Sequence, residues 1–220
     1  MNSFYLYGLQ RSGTNYLEQL LRQNFVVGKK NTGIPNNPLW KHNTDVADTV
    51  SKSKNTIIFV IHKNPYMWIE SICFRHAVDW TRTQLEFPAT EKHSDADYNI
   101  GKNEFNIVNL AKTYQTFYRN WVTATTPEIK EKSFVIKYED LLFSQKRENI
   151  LNHISEHFKY TKKHSTWQNP KNVGMSPRWM SSDKDMYINQ TPLYLTPKQK
   201  KIITQTLTPR LISNLGYDIL

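Results

Sequence analysis

Hydrophobic and polar positions along this 220-residue chain switch repeatedly between two patterns. Ser3 to Tyr7 is a short apolar and aromatic run that stops at Gly8, which predicts a buried strand. Leu17, Leu20, Leu21 and Phe25 then recur at helical spacing, so a helix begins just after the turn Gly8–Asn15. A short strand near Phe25 to Val27 precedes a turn-rich stretch from Gly28 to Pro38. Leu39-Trp40-Lys41 reads as another short strand, with Thr44 or Asp45 opening a brief helix. Thr56 to Ile61 is the clearest strand, and Asn64-Pro65 ends it and starts a helix on which Trp68, Ile69, Ile72, Cys73 and His76 share a face.

Residues 81–103 are polar and aperiodic, predicting a surface excursion or lid. Phe105, Val108, Ala111, Tyr114, Tyr118 and Trp121 mark a long amphipathic helix. Ser133 to Lys137 is a strand, followed by Tyr138-Glu139-Asp140 and a helix through Phe158. Residues 159–195 read as a second covering loop, and from Pro197 the chain is helical until Gly216. Strands alternating with helices predict one α/β domain over residues 1–220, a three-layer sandwich around a parallel sheet.

Composition narrows the function classes. Twenty-nine Lys and Arg against 19 Asp and Glu leave a formal charge of +10, which asks for an anionic partner without naming it. A lone cysteine, Cys73, excludes a disulfide framework and a cysteine zinc site and fits a reducing, cytoplasmic setting. No apolar run approaches the length of a membrane span, and no signal peptide is visible at the N-terminus.

The turn Gly8-Leu9-Gln10-Arg11-Ser12-Gly13-Thr14-Asn15 carries the sharpest chemistry. A strand, a glycine turn and a helix start make an anion site, because the first amides of a helix lack internal acceptors and its dipole is positive there. Gly8 and Gly13 have the spacing of a nucleotide-binding P-loop, but Thr14 stands where the lysine belongs and Asn15 where a magnesium-binding hydroxyl belongs. Those missing groups serve a γ-phosphate and its metal. The positive charge lies inside the turn instead, at Arg11.

Arg11-Ser12-Gly13-Thr14 directly after the first strand resembles the 5′-phosphosulfate loop of sulfotransferases that use 3′-phosphoadenosine-5′-phosphosulfate (PAPS). His62-Lys63-Asn64-Pro65 with Ser71 eight residues beyond Lys63 is similar to the family's 3′-phosphate site, with lysine for the usual arginine. Phe134 to Leu141 resembles its strand ending in Tyr-Glu-Asp-Leu, and Leu215-Gly216-Tyr217 a frequent C-terminal segment. The resemblance runs from residue 3 to residue 217, dense at these four places and thin between them.

The resemblance implies a P-loop-like topology and sulfuryl transfer from PAPS to a small-molecule or glycan acceptor, with no metal. Arg11 would be an electrostatic clamp at the catalytic lysine's position. Ser12, Gly13, Thr14 and Asn15 would hold the 5′-phosphate, and Lys63 and Ser71 the 3′-phosphate. Tyr16, Tyr138 and Trp167 would lie near the adenosine. His42, in Trp40-Lys41-His42, is the chosen base, with His62 and His76 as rivals and Lys41 as an aid to the sulfate. The acidic pair Glu139 and Asp140 would organise the fold rather than act as acid and base.

The family's Arg-Lys-Gly loop over the 3′-phosphate is absent; Lys171 and Arg178 are the substitutes within reach of the pattern. His153 and His157 stand four apart, yet nothing supplies a third metal ligand, and an exposed helix face is the plainer reading. Two other classes remain open: a P-loop kinase or NTPase, which explains the glycine turn, and a basic nucleic-acid-binding protein, which explains the charge but lacks a motif.

Overall fold

The computed structural model describes residues 2–29, 42, 56–73, 104–122, 127–170, 189, 192 and 195–219. Four strands, β1 (Asn2–Tyr7), β2 (Val27–Lys29), β3 (Ile57–His62) and β4 (Ser133–Lys137), form one sheet in the order β2-β1-β3-β4. Every pairing is parallel, with Tyr7 opposite Val60 and His62 opposite Lys137. Parallel strands need crossovers, and helices supply them: α1 (Thr14–Asn24) follows β1, and α2 (Pro65–Cys73), α3 (Glu104–Val122) and α4 (Pro127–Lys132) separate β3 from β4. A 3₁₀ turn (Tyr138–Leu142), α5 (Ser144–His157), α6 (Pro197–Thr206) and α7 (Pro209–Asn214) complete the described elements.

Side-chain alternation along β1 and β3 produces two cores. Phe4, Leu6, Phe59 and Ile61 face α1 and α5, packing on Leu17, Leu21, Leu151 and Ile154. Tyr5, Tyr7, Ile58 and Val60 face the opposite layer, with Trp68, Tyr114, Trp121, Ile203 and Leu211. Helices therefore cover both faces of the sheet, the expected arrangement for near-continuous apolar strands.

Strand order also fixes where a ligand belongs. β1 continues to one side, into β2, while β3 continues to the other, into β4. The chain diverges between the C-terminal ends of β1 and β3, and open α/β sheets bind ligands at such a switch point. Gly8 and Lys63 directly follow those two strand ends.

Several elements differ from the pattern reading. The second strand lies over Val27–Lys29 instead of starting at Phe25, whose backbone pairs in an isolated antiparallel bridge with Lys162. The buried stripe of α3 includes Ile107, Leu110 and Phe117, while Val108 is only half-buried. A 3₁₀ turn intervenes before α5, and the C-terminal helix is two helices because Pro209 has no amide to continue the ladder. All nine residues of α2 are buried, so that helix has no solvent face to read as polar. The predicted strand 39–41, the brief helix after residue 44 and the excursion 81–103 lie outside the described residues, as do His76, Lys41, Lys171 and Arg178.

Candidate anion-binding site

The turn after β1 owes its shape to two glycines. A Cβ on Gly8 would stand 2.7 Å from the Ile61 carbonyl oxygen, so only glycine lets the turn lie this close to β3. Gly13 has φ 98° and precedes the first turn of α1, where no side chain caps the helix and no acidic residue occupies the first turn. Arg11 is exposed and has φ 65°, a left-handed conformation that is unfavourable for a residue with a Cβ. Strain of that kind persists where surrounding structure over-determines it, and it concentrates at functional sites.

Side chains anchor the carbonyls of the turn. His42 Nδ1 donates to the Gly8 carbonyl, Ser12 donates both its N–H and its hydroxyl to Leu9 O, and Trp68 Nε1 donates to Gln10 O at 2.6 Å. With the acceptors held outside, the amides at the start of α1 and the alternating left-handed backbone form a concavity suited to an anion. The Ser12 hydroxyl, fully buried, donates to the turn's own Leu9 carbonyl at 2.6 Å. Thr14 is buried in the first turn of the helix, and Asn15 is exposed beside it.

The second strand end is built with equal care. Lys63 is 2% exposed, and its Nζ lies 4.7 Å from the centre of the Tyr138 ring, a cation–π placement. Asn64 Oδ1 accepts from the Tyr66 and Met67 amides and so caps α2, with Pro65 at the first helical position. Tyr138 connects the two strand ends, because its ring abuts Gly13 and meets Tyr16 edge-on at 6.4 Å. Tyr16 donates its hydroxyl to Asn169 Oδ1 at 2.7 Å.

Not every expected residue joins this cluster. Ser71 is buried on α2, and no described contact ties it to Lys63. Trp167 packs on Phe25 at 5.5 Å, donates to Asn152 and lies beneath Lys162, at the end of α1 remote from Arg11. Among the histidines, His42 touches the turn itself. Its Nδ1 must carry the proton to donate to a carbonyl, which leaves Nε2 as the basic nitrogen. His62 sits 4% exposed between the rings of Tyr118 and Tyr217, and burial, with Lys137 adding, pushes its pKa down to about 3. A base so weak and so enclosed is unsuited to an acceptor's proton.

Other side chains escaped sequence reasoning. Tyr118 donates to Ile61 O at 2.9 Å and accepts from the Leu9 amide at 3.4 Å, joining the two strand ends from α3. One turn earlier, Tyr114 donates to Lys63 O at 2.7 Å. Both belong to the predicted apolar stripe, and their polar tips at a spacing of four were the available signal. Glu139, 2% exposed, accepts from the Asn64 amide and from the Tyr217 hydroxyl; burial raises its pKa against the lowering effect of those bonds and of Lys63.

His153 and His157 stack at 5.1 Å on an exposed face of α5, and no group of three or more metal-binding side chains occurs among the described residues. No described helix is long and apolar enough to cross a membrane. Fold and site together define an α/β protein whose parallel sheet presents a glycine turn at its switch point. No protein-family model matches the chain, and no curated protein matches it.

Proposed function

We propose that this protein is a sulfotransferase that takes a sulfuryl group from PAPS and passes it to a hydroxyl or amine of a small-molecule or glycan acceptor. The observation that carries the reading is the turn 8–13, an anion cradle with strained Arg11 at its centre and no lysine or magnesium-binding hydroxyl after Gly13. A sulfated nucleotide without a γ-phosphate or a metal matches that chemistry, whereas a kinase or NTPase needs both groups. The strand order is read as P-loop-like on the same grounds.

The residues present fit the co-substrate. The uncapped start of α1 is suited to a 5′-phosphate, and the Lys63 amine, at the end of β3, to a second phosphate. When bound, PAPS supplies the sulfuryl group and a bisphosphate leaving group. Arg11, always charged, stabilises negative charge at the turn and does not act as an acid. His42 accepts the acceptor's proton at Nε2, with its Nδ1–H held on Gly8 O. Half-buried Tyr16, edge-on to the buried Tyr138 ring, is the aromatic side chain that would lie against a nucleobase. The single cysteine fits a cytoplasmic site of action.

A ligand-shift panel tests the assignment. The product nucleotide 3′-phosphoadenosine-5′-phosphate, without magnesium, should stabilise the protein by about 2.7 kcal/mol at a hundredfold excess over its Kd. Magnesium ATP should do so weakly. A clear shift with magnesium ATP and none with the bisphosphate would transfer the protein to the kinase class, and a shift with oligonucleotides alone to the nucleic-acid binders.

A further inference from the structure

The segment after α7 folds back onto the far end of the sheet beside the candidate site. Lys137 Nζ donates to Gly216 O at 2.7 Å and lies 4.1 Å from the centre of the Tyr217 ring. That ring, 5% exposed, meets His62 edge-on at 5.4 Å. Its hydroxyl donates to Glu139 Oε2 at 2.7 Å, while the Asn64 amide donates to Oε1 at 2.9 Å. Each carboxylate oxygen thus has its own donor, one from the C-terminal segment and one from the residue following Lys63.

Glu139 is a buried negative group beside a buried positive one, and the Lys63 charge already acts on it. A carboxylate in such a setting takes whatever donors it can reach. While Tyr217 and Asn64 supply them, Lys63 Nζ stays over the Tyr138 ring. Besides these two donors only its own backbone amide bonds the carboxylate among the described groups, so without the Tyr217 hydroxyl Oε2 is left short of a donor and the Lys63 ammonium is drawn toward it. Lys137 also lies at this end, but its amine is already held on Gly216 O beyond the Tyr217 ring.

Resting on the reading of Lys63 as a phosphate subsite, we infer that Tyr217 is a positioning residue. By satisfying Glu139 it keeps the Lys63 charge directed at the ligand's 3′-phosphate, so the C-terminal segment sets selectivity for a 3′-phosphorylated nucleotide. The adjacent amide of Asn64 and the Tyr114 bond to Lys63 O hold the backbone at the same point. Specificity at this subsite is therefore determined from the end of the chain.

The test compares the affinities of 3′-phosphoadenosine-5′-phosphate and adenosine 5′-monophosphate, which differ only in the 3′-phosphate. In the Tyr217→Phe variant the bisphosphate should bind about tenfold more weakly while the monophosphate is unchanged, so their ratio falls. An equal loss for both ligands, or an unchanged ratio, overturns the inference. Glu139→Gln removes the competing charge and should hold the ratio at or above that of the unaltered protein; a lower ratio there overturns it even if Tyr217→Phe fails to fold. The two together should show coupling, with Tyr217→Phe no longer changing the ratio in the Glu139→Gln background. An unaltered protein that binds both ligands equally refutes the phosphate subsite itself, a result distinct from failure of the Tyr217 role.

Discussion

The Tyr138 ring lies so close to Gly13 that a Cβ on that glycine would stand 2.3 Å from Tyr138 Cδ2. One residue thus forms the N-terminal edge of α1 and the other begins the 3₁₀ turn after β4, although 125 positions of sequence separate them. The contact links the strand-end turn to the ring on which the Lys63 amine rests.

Gly13→Ala should therefore be severe. It forces a Cβ into the left-handed region at φ 98° and against the buried Tyr138 ring, at a cost of about 3 kcal/mol or more. Gly28→Ala is the control, since a Cβ there meets nothing within 4 Å; its effect should stay within about 0.5 kcal/mol. Denaturant unfolding of the two variants measures the difference.

Arg11 should reveal a conflict between stability and activity. Arg11→Gly relieves the left-handed strain and should stabilise the fold by about 1 kcal/mol, because glycine adopts φ 65° without penalty. The same change removes the proposed clamp and should lower sulfuryl transfer by on the order of 10²-fold. Melting curves beside turnover assays would show the opposite signs; a variant that loses stability and keeps turnover would remove Arg11 from the site.

His42→Ala should abolish most of the turnover, on the order of 10²-fold, and flatten the acid limb of its pH profile. Nucleotide affinity should change little, because His42 bonds to the Gly8 carbonyl and not to the amides at the start of α1. Unaltered turnover would assign the base elsewhere.

Acid stability should depend on His62. Its folded pKa, about 3, lies below the ordinary 6.5, chiefly through burial and then through Lys137. The unfolded chain therefore binds more protons between those values, and the neutral ring's contribution, fully present above pH 6.5, is lost as the pH falls toward 3. Glu139 opposes this, since its raised folded pKa makes its protonation favour the folded state. His62→Phe should flatten the loss of stability below pH 6.5; an unchanged acid profile in urea titrations would contradict the enclosed, neutral imidazole.

Tyr118→Phe should cost about 1–2 kcal/mol, since the buried Ile61 carbonyl and Leu9 amide both lose a partner. Hydrogen exchange at Leu9 should accelerate relative to amides in α5. Equal protection in the variant would mean that the β1 turn does not depend on α3.

The regular elements were legible because period alone encodes them. Phe4 and Leu6 alternate with Tyr5 and Tyr7, and these pairs do enter different cores. Ser133–Lys137 was readable to the residue, flanked by a charged helix and by Tyr138. The stripe of α3 was misplaced at Val108, which lies beside the single face that Ile107, Leu110, Ala111, Tyr114, Phe117, Tyr118 and Trp121 bury, so a stricter helical period would have excluded it. The division of the C-terminal helix at Pro209 follows from the missing amide, a local rule that was available.

Of the site, the glycine turn and the Lys63-Asn64-Pro65 strand end were visible as local chemistry. Strand–turn–helix geometry is encoded within a few residues, by glycines for the turn and proline for the helix start. What joins them was not visible. Tyr118 reaching Leu9, Glu139 reaching Asn64 and Tyr217 reaching Glu139 are bonds across 109, 75 and 78 positions.

The amino-acid sequence by itself determined the alternation of strands and helices, the glycine turn and the charges at both strand ends, because each depends on neighbours along the chain. The tertiary structure alone decided that β1 and β3 lie side by side and that buried tyrosines bond to the backbone at the end of β3. Hydrogen bonds and packing between distant segments carry no periodic signature, so sequence can name the groups while only the fold selects their partners.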